Sequence, residues 1–508
     1  MFFERSARVQ RTVGWLRRAA AWIVLGLCGI CAPAFAGYWL EAGDAGLRSD
    51  VEILAARGLI DPMINTWPVP AGVFRRLIDE RARVAHEPEY VRRAAQRVLA
   101  YLDVHGNPDS FRPAAAWRMT NRPDPVRGFD TLARDRLDVR GGFDWNIDPV
   151  SITVRSGTQA HLGGGDHVFS LDGTSISAVL GNWQIYSGWV DQWYGGGWNS
   201  SLILSTNARP FPKLGLMRYD PHAFETPWLA WIGPWQLNLF VGLLDGPRID
   251  RNTALGSLRL SFSPIHGLEI ALARLTEFCG THHSCNPVNA AFHVNNNNQD
   301  PNATNDEASI ELKYTTALGA LTLSPYLQFM NEDTGPFTHS DTSYLAGASA
   351  AGPWGGDGAH WRLTAEYADS VSTLNWFSFG RQEHGQAYNN VGYFDGYRYR
   401  SRTLGLSLDS DSRLFSFTAA LTDSANRVWR LAYHHADIST SELAAQQAAG
   451  GFYNVVSAQP VTINQAEAGV TLHWDAIGAN FALRWQDHDI ADEPGGRVAA
   501  EIGLQYGF

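Results

Sequence analysis

Between residues 183 and 198 the chain carries Trp183, Trp189, Trp193, Tyr194 and Trp198, with Gly195, Gly196 and Gly197 among them. Aromatic rings stack on the apolar C–H faces of sugar rings, and glycine lets a backbone approach a ligand closely. The same residues suit a belt of amphipathic rings around a turn at a membrane interface. Further on stand Asn207, Arg209, Arg218, Asp220, Asp245 and Arg248, then Arg398 and Arg400 alternating with Tyr397 and Tyr399. Arginine forks and carboxylates of this kind hold sugar hydroxyls or acidic sugars, or neutralise one another as a charge ladder inside a barrel. Lys213 and Lys313 are the only lysines. That bias fits bidentate recognition of an anionic ligand and fits a GC-rich genome equally.

Hydrolysis needs a nucleophile with a positioned base, or paired carboxylates. The dense acid–base clusters are His434-His435 near Asp437, and Asp487-His488-Asp489. Both suit polar strand ends, and no G-x-S-x-G elbow or H-E-x-x-H motif occurs. No catalytic residue, cofactor or metal is therefore expected. Cys279 and Cys285 bracket a polar segment containing His282 and His283, with His293 nearby. In an exported chain this reads as a loop disulfide; the histidine spacing is not diagnostic of a metal site.

Export is legible at the amino terminus. Arg5, Arg8, Arg11, Arg17 and Arg18 precede a short apolar run from Ala19 to Ile30, and Ala34-Phe35-Ala36 is an A-x-A site. Residues 1–36 read as a signal peptide cleaved between Ala36 and Gly37. The apolar run is too short to span a bilayer, and Cys28 and Cys31 follow bulky residues, unlike a lipobox. Cleavage removes five arginines and one glutamate, taking the net charge from −11 to −15. Such acidity excludes nucleic acid as a partner.

Residues 37–110 have helical periodicity. Asp44 caps a segment aligning Leu47, Val51 and Leu54 and ending at Gly58; Pro70 opens a second with Val73, Leu77 and Ile78; Pro88 opens a third with Val91, Ala95, Val98 and Leu102, ending at Gly106. Three short amphipathic helices make a small bundle whose apolar face needs cover from elsewhere. Further along, the period becomes two. Ala500, Ile502, Leu504, Tyr506 and Phe508 alternate with polar or small residues, as do Ala468–Trp474, Phe481–Trp485, Leu258–Phe262, Leu268–Leu272, Ile310–Tyr314, Phe415–Leu421 and Trp429–Tyr433. A soluble sandwich also alternates. The long strand-only region, Trp and Tyr at strand ends and low charge (18 %) point instead to a transmembrane antiparallel β-barrel over 111–508, inserted in outer-membrane lipid. A strand ending on Tyr506 and the terminal Phe508 resembles the signal read by the barrel assembly machinery. Residues 276–307, 331–358 and 438–463 read as long surface loops.

Several stretches together resemble the Wzi family of capsule assembly proteins. They are Leu47-Arg48-Ser49-Asp50, Arg57-Gly58-Leu59-Ile60 and Thr66-Trp67-Pro68; then Trp198 through Asn207-Ala208-Arg209-Pro210; then Thr226-Pro227-Trp228-Leu229, Gly233-Pro234-Trp235 and the run from Gly242 to Asp245. The set ends with Gly396-Tyr397-Arg398-Tyr399-Arg400 and Asp409-Ser410-Asp411-Ser412. Residues 276–307 resemble the family least. The resemblance implies a monomeric outer-membrane lectin: an all-β barrel of about eighteen strands, an even count as such barrels have, above a small periplasmic helical bundle. It implies a protein that anchors capsular polysaccharide or exopolysaccharide at the cell surface after export, without being the export channel or an enzyme. The glycan contacts expected on that view are Trp193, Tyr194, Trp198, Asn207, Arg209, Arg218, Asp220, Asp245, Arg248, Arg398 and Arg400. The alternatives are a porin-like diffusion channel, which the strand pattern equally allows, and an outer-membrane hydrolase.

Overall fold

The structure is a computed structural model. It describes residues 34–36, 38–130, 133–160, 168–292, 303–332, 341–373, 381–474, 476–490 and 496–507. The export segment up to residue 33, Gly37, His293 and Phe508 lie outside them.

Eighteen antiparallel strands close into a barrel. In order they are β1 (Phe111–Thr120), β2 (Leu137–Ile147), β3 (Val150–Ala160), β4 (Ser175–Leu180), β5 (Trp183–Gly188) and β6 (Lys213–Arg218). They continue with β7 (Trp235–Leu244), β8 (Thr253–Phe262), β9 (Leu268–Phe278), β10 (Asn305–Tyr314), β11 (Leu321–Glu332) and β12 (Thr342–Trp354). The last six are β13 (Ala359–Thr373), β14 (Arg413–Thr422), β15 (Val428–Ile438), β16 (Val461–Trp474), β17 (Ile477–Gln486) and β18 (Val498–Tyr506). β18 pairs with β1, Tyr506 opposite Ala115, so no edge is left open. The alternation read from the sequence sets the faces. On β10, Glu307, Ser309, Glu311 and Lys313 are buried toward the lumen, while Leu312 and Tyr314 are exposed on the outside.

One end has tight turns: two residues at 148–149 and at 181–182. The other carries the long connections 189–212, 279–304, 374–412 and 439–460. By the usual asymmetry of such barrels the tight-turn end faces the periplasm. Two corrections to the sequence reading follow. Residues 331–358 are not one loop, because β12 occupies 342–354; its Ala- and Gly-rich Ala346–Gly352 hides the strand signal. The 374–412 connection, unmarked by the strand pattern, is instead one of the longest.

Helix α1 (Ala45–Ala56) begins where expected, Asp44 Oδ1 accepting from Leu47 N at 2.8 Å. Helix α2 (Glu89–His105) runs from Pro88 to Gly106 and buries Val91, Ala95, Val98 and Leu102. The two helices pack on each other and dock against the barrel. Tyr90 Oη donates to Ala320 O at the tight-turn rim, and α1 enters the lumen. Arg48, Asp50 and Glu52 of α1 are all buried there. Burying three charges is tolerable only where opposite charges meet them. Glu52 accepts from Lys313 Nζ of β10, Arg97 of α2 grips Asp50 in two bonds of 2.6 Å, and Arg48 Nη2 donates to Gly196 O at 2.9 Å. Ala34–Ala36 lie antiparallel to Ala178–Leu180 in the full-length chain. Cleavage after Ala36 would remove this stub but not the pairing of Trp39–Leu40 with Val69–Pro70.

The connection 189–212 descends from the opposite end. Trp193-Tyr194 pairs with Thr66-Trp67 of the amino-terminal segment inside the barrel. Above it, Tyr388, Tyr397, Leu404, Leu406 and Leu408 of the 374–412 connection join one apolar cluster with Leu202, Ile203 and Leu204. The lumen is thus plugged from both ends.

Two outcomes are expected. Glu52→Leu strands the Lys313 ammonium and weakens α1 docking by about 3–5 kcal/mol, whereas Glu52→Leu/Lys313→Met recovers most of it. Amide hydrogen exchange along α1 in the folded barrel distinguishes the three proteins, and equal protection in all would refute the pair's role. In planar bilayers the intact protein should show no steady open-pore current; a conductance like that of an open porin would contradict the plug.

Candidate functional site

The plug decides which of the expected glycan contacts are within reach of solvent. Trp193 and Tyr194 are wholly buried. Trp193 meets Phe129 edge-on at 5.6 Å and donates from Nε1 to Gly197 O. Tyr194 Oη is bonded to Ser257 Oγ of β8. Trp198 has the guanidiniums of Arg48 and Arg362 at 4.3 and 3.5 Å from its ring, and its backbone N–H donates to Glu366 of β13 at 2.8 Å. No ring face of Trp193, Tyr194 or Trp198 is left for a sugar, so these three of the five aromatics read from the sequence form the hub of the plug. The three glycines serve that hub: Gly195 has φ 129°, and a Cβ on Gly197 would lie 2.1 Å from Ser200 O.

Arg218 and Asp220 sit at the tight-turn end, far along the barrel from the long connections. Arg218 stacks on Trp235 at 3.9 Å, and Asp220 pairs with Arg75 at 3.0 Å. The sequence reading grouped them with Arg209 as glycan contacts, but β6 carries the chain to the other rim between them.

The remaining residues gather at the outer end, on a seam where the 245–252 connection lies along 394–400. Tyr399 Oη donates to Asp245 Oδ1, and Arg400 Nη2 is 3.9 Å from Asp245 Oδ2. Arg248 pairs with Glu277 at 2.8 Å and donates to Arg398 O. Asp395 Oδ2 accepts from Ile249 N at 2.8 Å and Asp250 N at 3.2 Å. Arg398 is buried, gripping Asp409 at 2.9 Å beneath the Tyr453 ring. Asn207 Nδ2 donates to Thr403 O, and Arg209 forks onto Asp172 at 3.0 and 3.1 Å. Arg248, Arg398 and Asn207 thus brace the seam from below, and Asp245 and Arg400 line its accessible side.

Electrostatics separate the two layers. Burial alone would lower the Arg400 pKa, but the Tyr399 hydroxyl and the carboxylates of Asp245 and Asp172 hold it above the ordinary value. Burial would raise Asp172; Arg209 and Arg140 outweigh it, so the carboxylate stays ionised. Burial and the bond to Asp245 push the Tyr399 phenol up, keeping it a neutral donor.

Beside this polar end the seam is apolar. Phe394, Ile249 and Val391 are 57 %, 58 % and 56 % exposed. The sequence reading missed all three, together with Asp172. The signal was there: Asp395-Gly396 is a turn dipeptide directly after Phe394, and an aromatic before a surface turn has little structural reason to stay exposed.

The other clusters do local work. Cys279 and Cys285 are joined by a disulfide. His282 bonds Asp250 Oδ1 at 2.6 Å, and His283 stacks on Tyr393 at 3.9 Å. Among the described residues no group of three His, Cys, Asp or Glu side chains could hold a metal ion. His434 bonds Ser416 Oγ at 2.7 Å, both buried in the wall without substrate access, and His488 lies exposed beside Asp487.

Residues 115–479 match the model of a family described as capsule assembly protein Wzi. An uncharacterised 55.8 kDa protein of the cps region of Klebsiella pneumoniae is 26 % identical over 359 residues, 68 % of each chain. Among solved structures, one similar to this chain is Wzi of Escherichia coli, described as an outer-membrane protein involved in group 1 capsule assembly and a carbohydrate-binding β-barrel. Its TM-score is 0.76 at 22 % identity, covering 93 % of this chain and 100 % of that one. The OprD barrel of Pseudomonas aeruginosa matches at TM-score 0.43 and 9 % identity, over 78 % and 94 % of the two chains. With a closed barrel, a helical plug entering from the tight-turn end and the family match over most of its length, this chain belongs to the Wzi family of capsule assembly proteins.

Proposed function

We propose that this protein binds a capsular or related polysaccharide at the outer seam and holds it on the cell surface. One observation carries the reading: the lumen is closed by the plug, while the paired side chains of Arg400 and Asp245 stay accessible on the same outer seam that carries exposed Phe394. A closed barrel does its work at its face rather than through a pore. A guanidinium, a carboxylate and an aromatic ring in one strip match a glycan, which offers hydroxyls or carboxylates on its rim and C–H groups on its face. The family supports the same reading, as does the carbohydrate binding attributed to the E. coli barrel. Arg209 extends the polar end, and Arg248, Arg398 and Asn207 support it from beneath.

The chain reaches its place by export, cleavage between Ala36 and Gly37 and insertion by the barrel assembly machinery through β18 and its terminal aromatics, working as a monomer without cofactor or catalytic step.

Deleting the gene in its native host should leave total polymer unchanged and move it from the cell surface into the medium; unchanged attachment would sink the anchoring reading. Phe394→Ser and Arg400→Ala should each lower retained polymer, the pair by roughly tenfold if each contact contributes about 0.7 kcal/mol. Both substitutions sit on the accessible face, so heat-modifiable mobility of the folded barrel should not change.

A further inference from the structure

The connection between β6 and β7, residues 219–234, is long for the tight-turn end, where 181–182 needs only two residues. It is also rich in tryptophan, running Phe224-Glu225-Thr226-Pro227-Trp228-Leu229-Ala230-Trp231-Ile232-Gly233-Pro234. Trp228 and Trp231 are 73 % and 65 % exposed. The plug does not use them and neither does the outer seam.

Where this segment sits is set by the wall. On β7, Gln236, Asn238 and Phe240 are buried toward the lumen, so Trp235, Leu237, Leu239 and Val241 face outward. Arg218 shares the outward face of β6 with Leu214 and Leu216. Phe224 stacks on the outward ring of Trp235 at 4.7 Å, and the Arg218 guanidinium lies over that ring at 3.9 Å while donating to His222 O and Trp235 O. The connection therefore folds over the outside of the wall, on the lipid side of the rim. It keeps a fixed shape there. Ala230 N donates to Thr226 O, Ala230–Ile232 form a short helical turn, and Gly233 at φ 69° reverses the chain where a Cβ would lie 1.9 Å from Ser263 O.

We propose that residues 224–232 are an interfacial anchor, with Trp228 and Trp231 inserted among the phospholipid headgroups of the leaflet at the tight-turn end. Three observations select lipid over a periplasmic protein as the occupant. The segment is continuous with the apolar outer surface of β6 and β7. Its base is stacked on a lipid-facing ring. Its two free rings are indoles, which combine an apolar body with one N–H donor and partition to the headgroup level. The anchor also moors the plug: Asp220 at its foot pairs with Arg75, and Gly72 packs so closely on Tyr219 that a Cβ would lie 2.3 Å from Tyr219 O. Bilayer, wall and amino-terminal segment thus meet at one point. The inference does not depend on what the outer seam binds.

The test places a nitroxide on the exported chain from Gly37 onward, which lacks Cys28 and Cys31, as Trp231→Cys or Trp228→Cys, in vesicles of phosphatidylethanolamine and phosphatidylglycerol; the disulfide-linked Cys279 and Cys285 do not take the label. Val104→Cys, on the exposed face of α2, is the aqueous reference. An oxygen-to-nickel accessibility ratio several-fold higher at 231 and 228 than at 104 supports the anchor. A ratio at both positions equal to that at 104 overturns it and leaves the segment in water, open to a protein partner. Two label positions guard against one substitution disturbing the local turn, and heat-modifiable mobility confirms that each variant is folded.

Discussion

The buried pair Arg259–Glu311 is the contact on which the interior depends. Its two bonds are 2.7 Å each and join β8 to β10 across the lumen wall. Arg259 also donates to Thr66 Oγ1 and lies 4.8 Å from the Tyr194 ring. Glu311 accepts from Gln328, whose own carbonyl receives Leu202 N. One ion pair therefore fastens the amino-terminal segment and the 189–212 connection to the same patch of wall. A membrane barrel must put polar side chains into its lumen at alternate positions. When the lumen is packed rather than flooded, each of those groups needs a partner from whatever fills it. Here the plug's charges and the wall's charges satisfy one another.

That constraint accounts for the burial of the most conspicuous residues. Arg48 reaches the centre only because Gly195 and Gly196 bare their carbonyls and Phe129 and Trp198 offer ring faces at 4.5 and 4.3 Å. The tryptophans that look made for sugar are thereby spent on a guanidinium. At the outer rim, by contrast, loops anchored by Arg398–Asp409 and Arg248–Glu277 leave Arg400, Asp245 and Phe394 at the surface, the strip proposed above for the polysaccharide. Rigid bracing beneath an accessible strip is how a binding surface avoids paying the ordering entropy of a free loop.

The aromatic residues divide by environment, and the division gives the molecule its polarity along the membrane normal. Trp193 and Trp198 hold the plug, Phe394 marks the outer rim, and Trp228 and Trp231 stand out from the opposite rim. Residue type is the same or similar in each case; the surroundings assign the task.

Local patterns in the sequence determined most of the architecture. Asp44, Pro88 and Gly106 bound their helices because capping is settled within a few residues, and the period of two in β14–β18 sufficed for a barrel because alternation is a property of each strand alone. The pattern faltered at β12, where Ala346–Gly352 has too little hydrophobic contrast to show which side faces lipid. The site was legible only in part. Residue types pointed to Arg400 and Asp245, but whether a tryptophan is buried, or at which rim Arg218 ends, depends on contacts such as Arg48 with Gly196 and Arg259 with Thr66, separated by 148 and 193 residues. Only closure of the barrel around its plug brings such distant partners together, so the tertiary structure alone decided which of the aromatic and charged residues are left for a ligand.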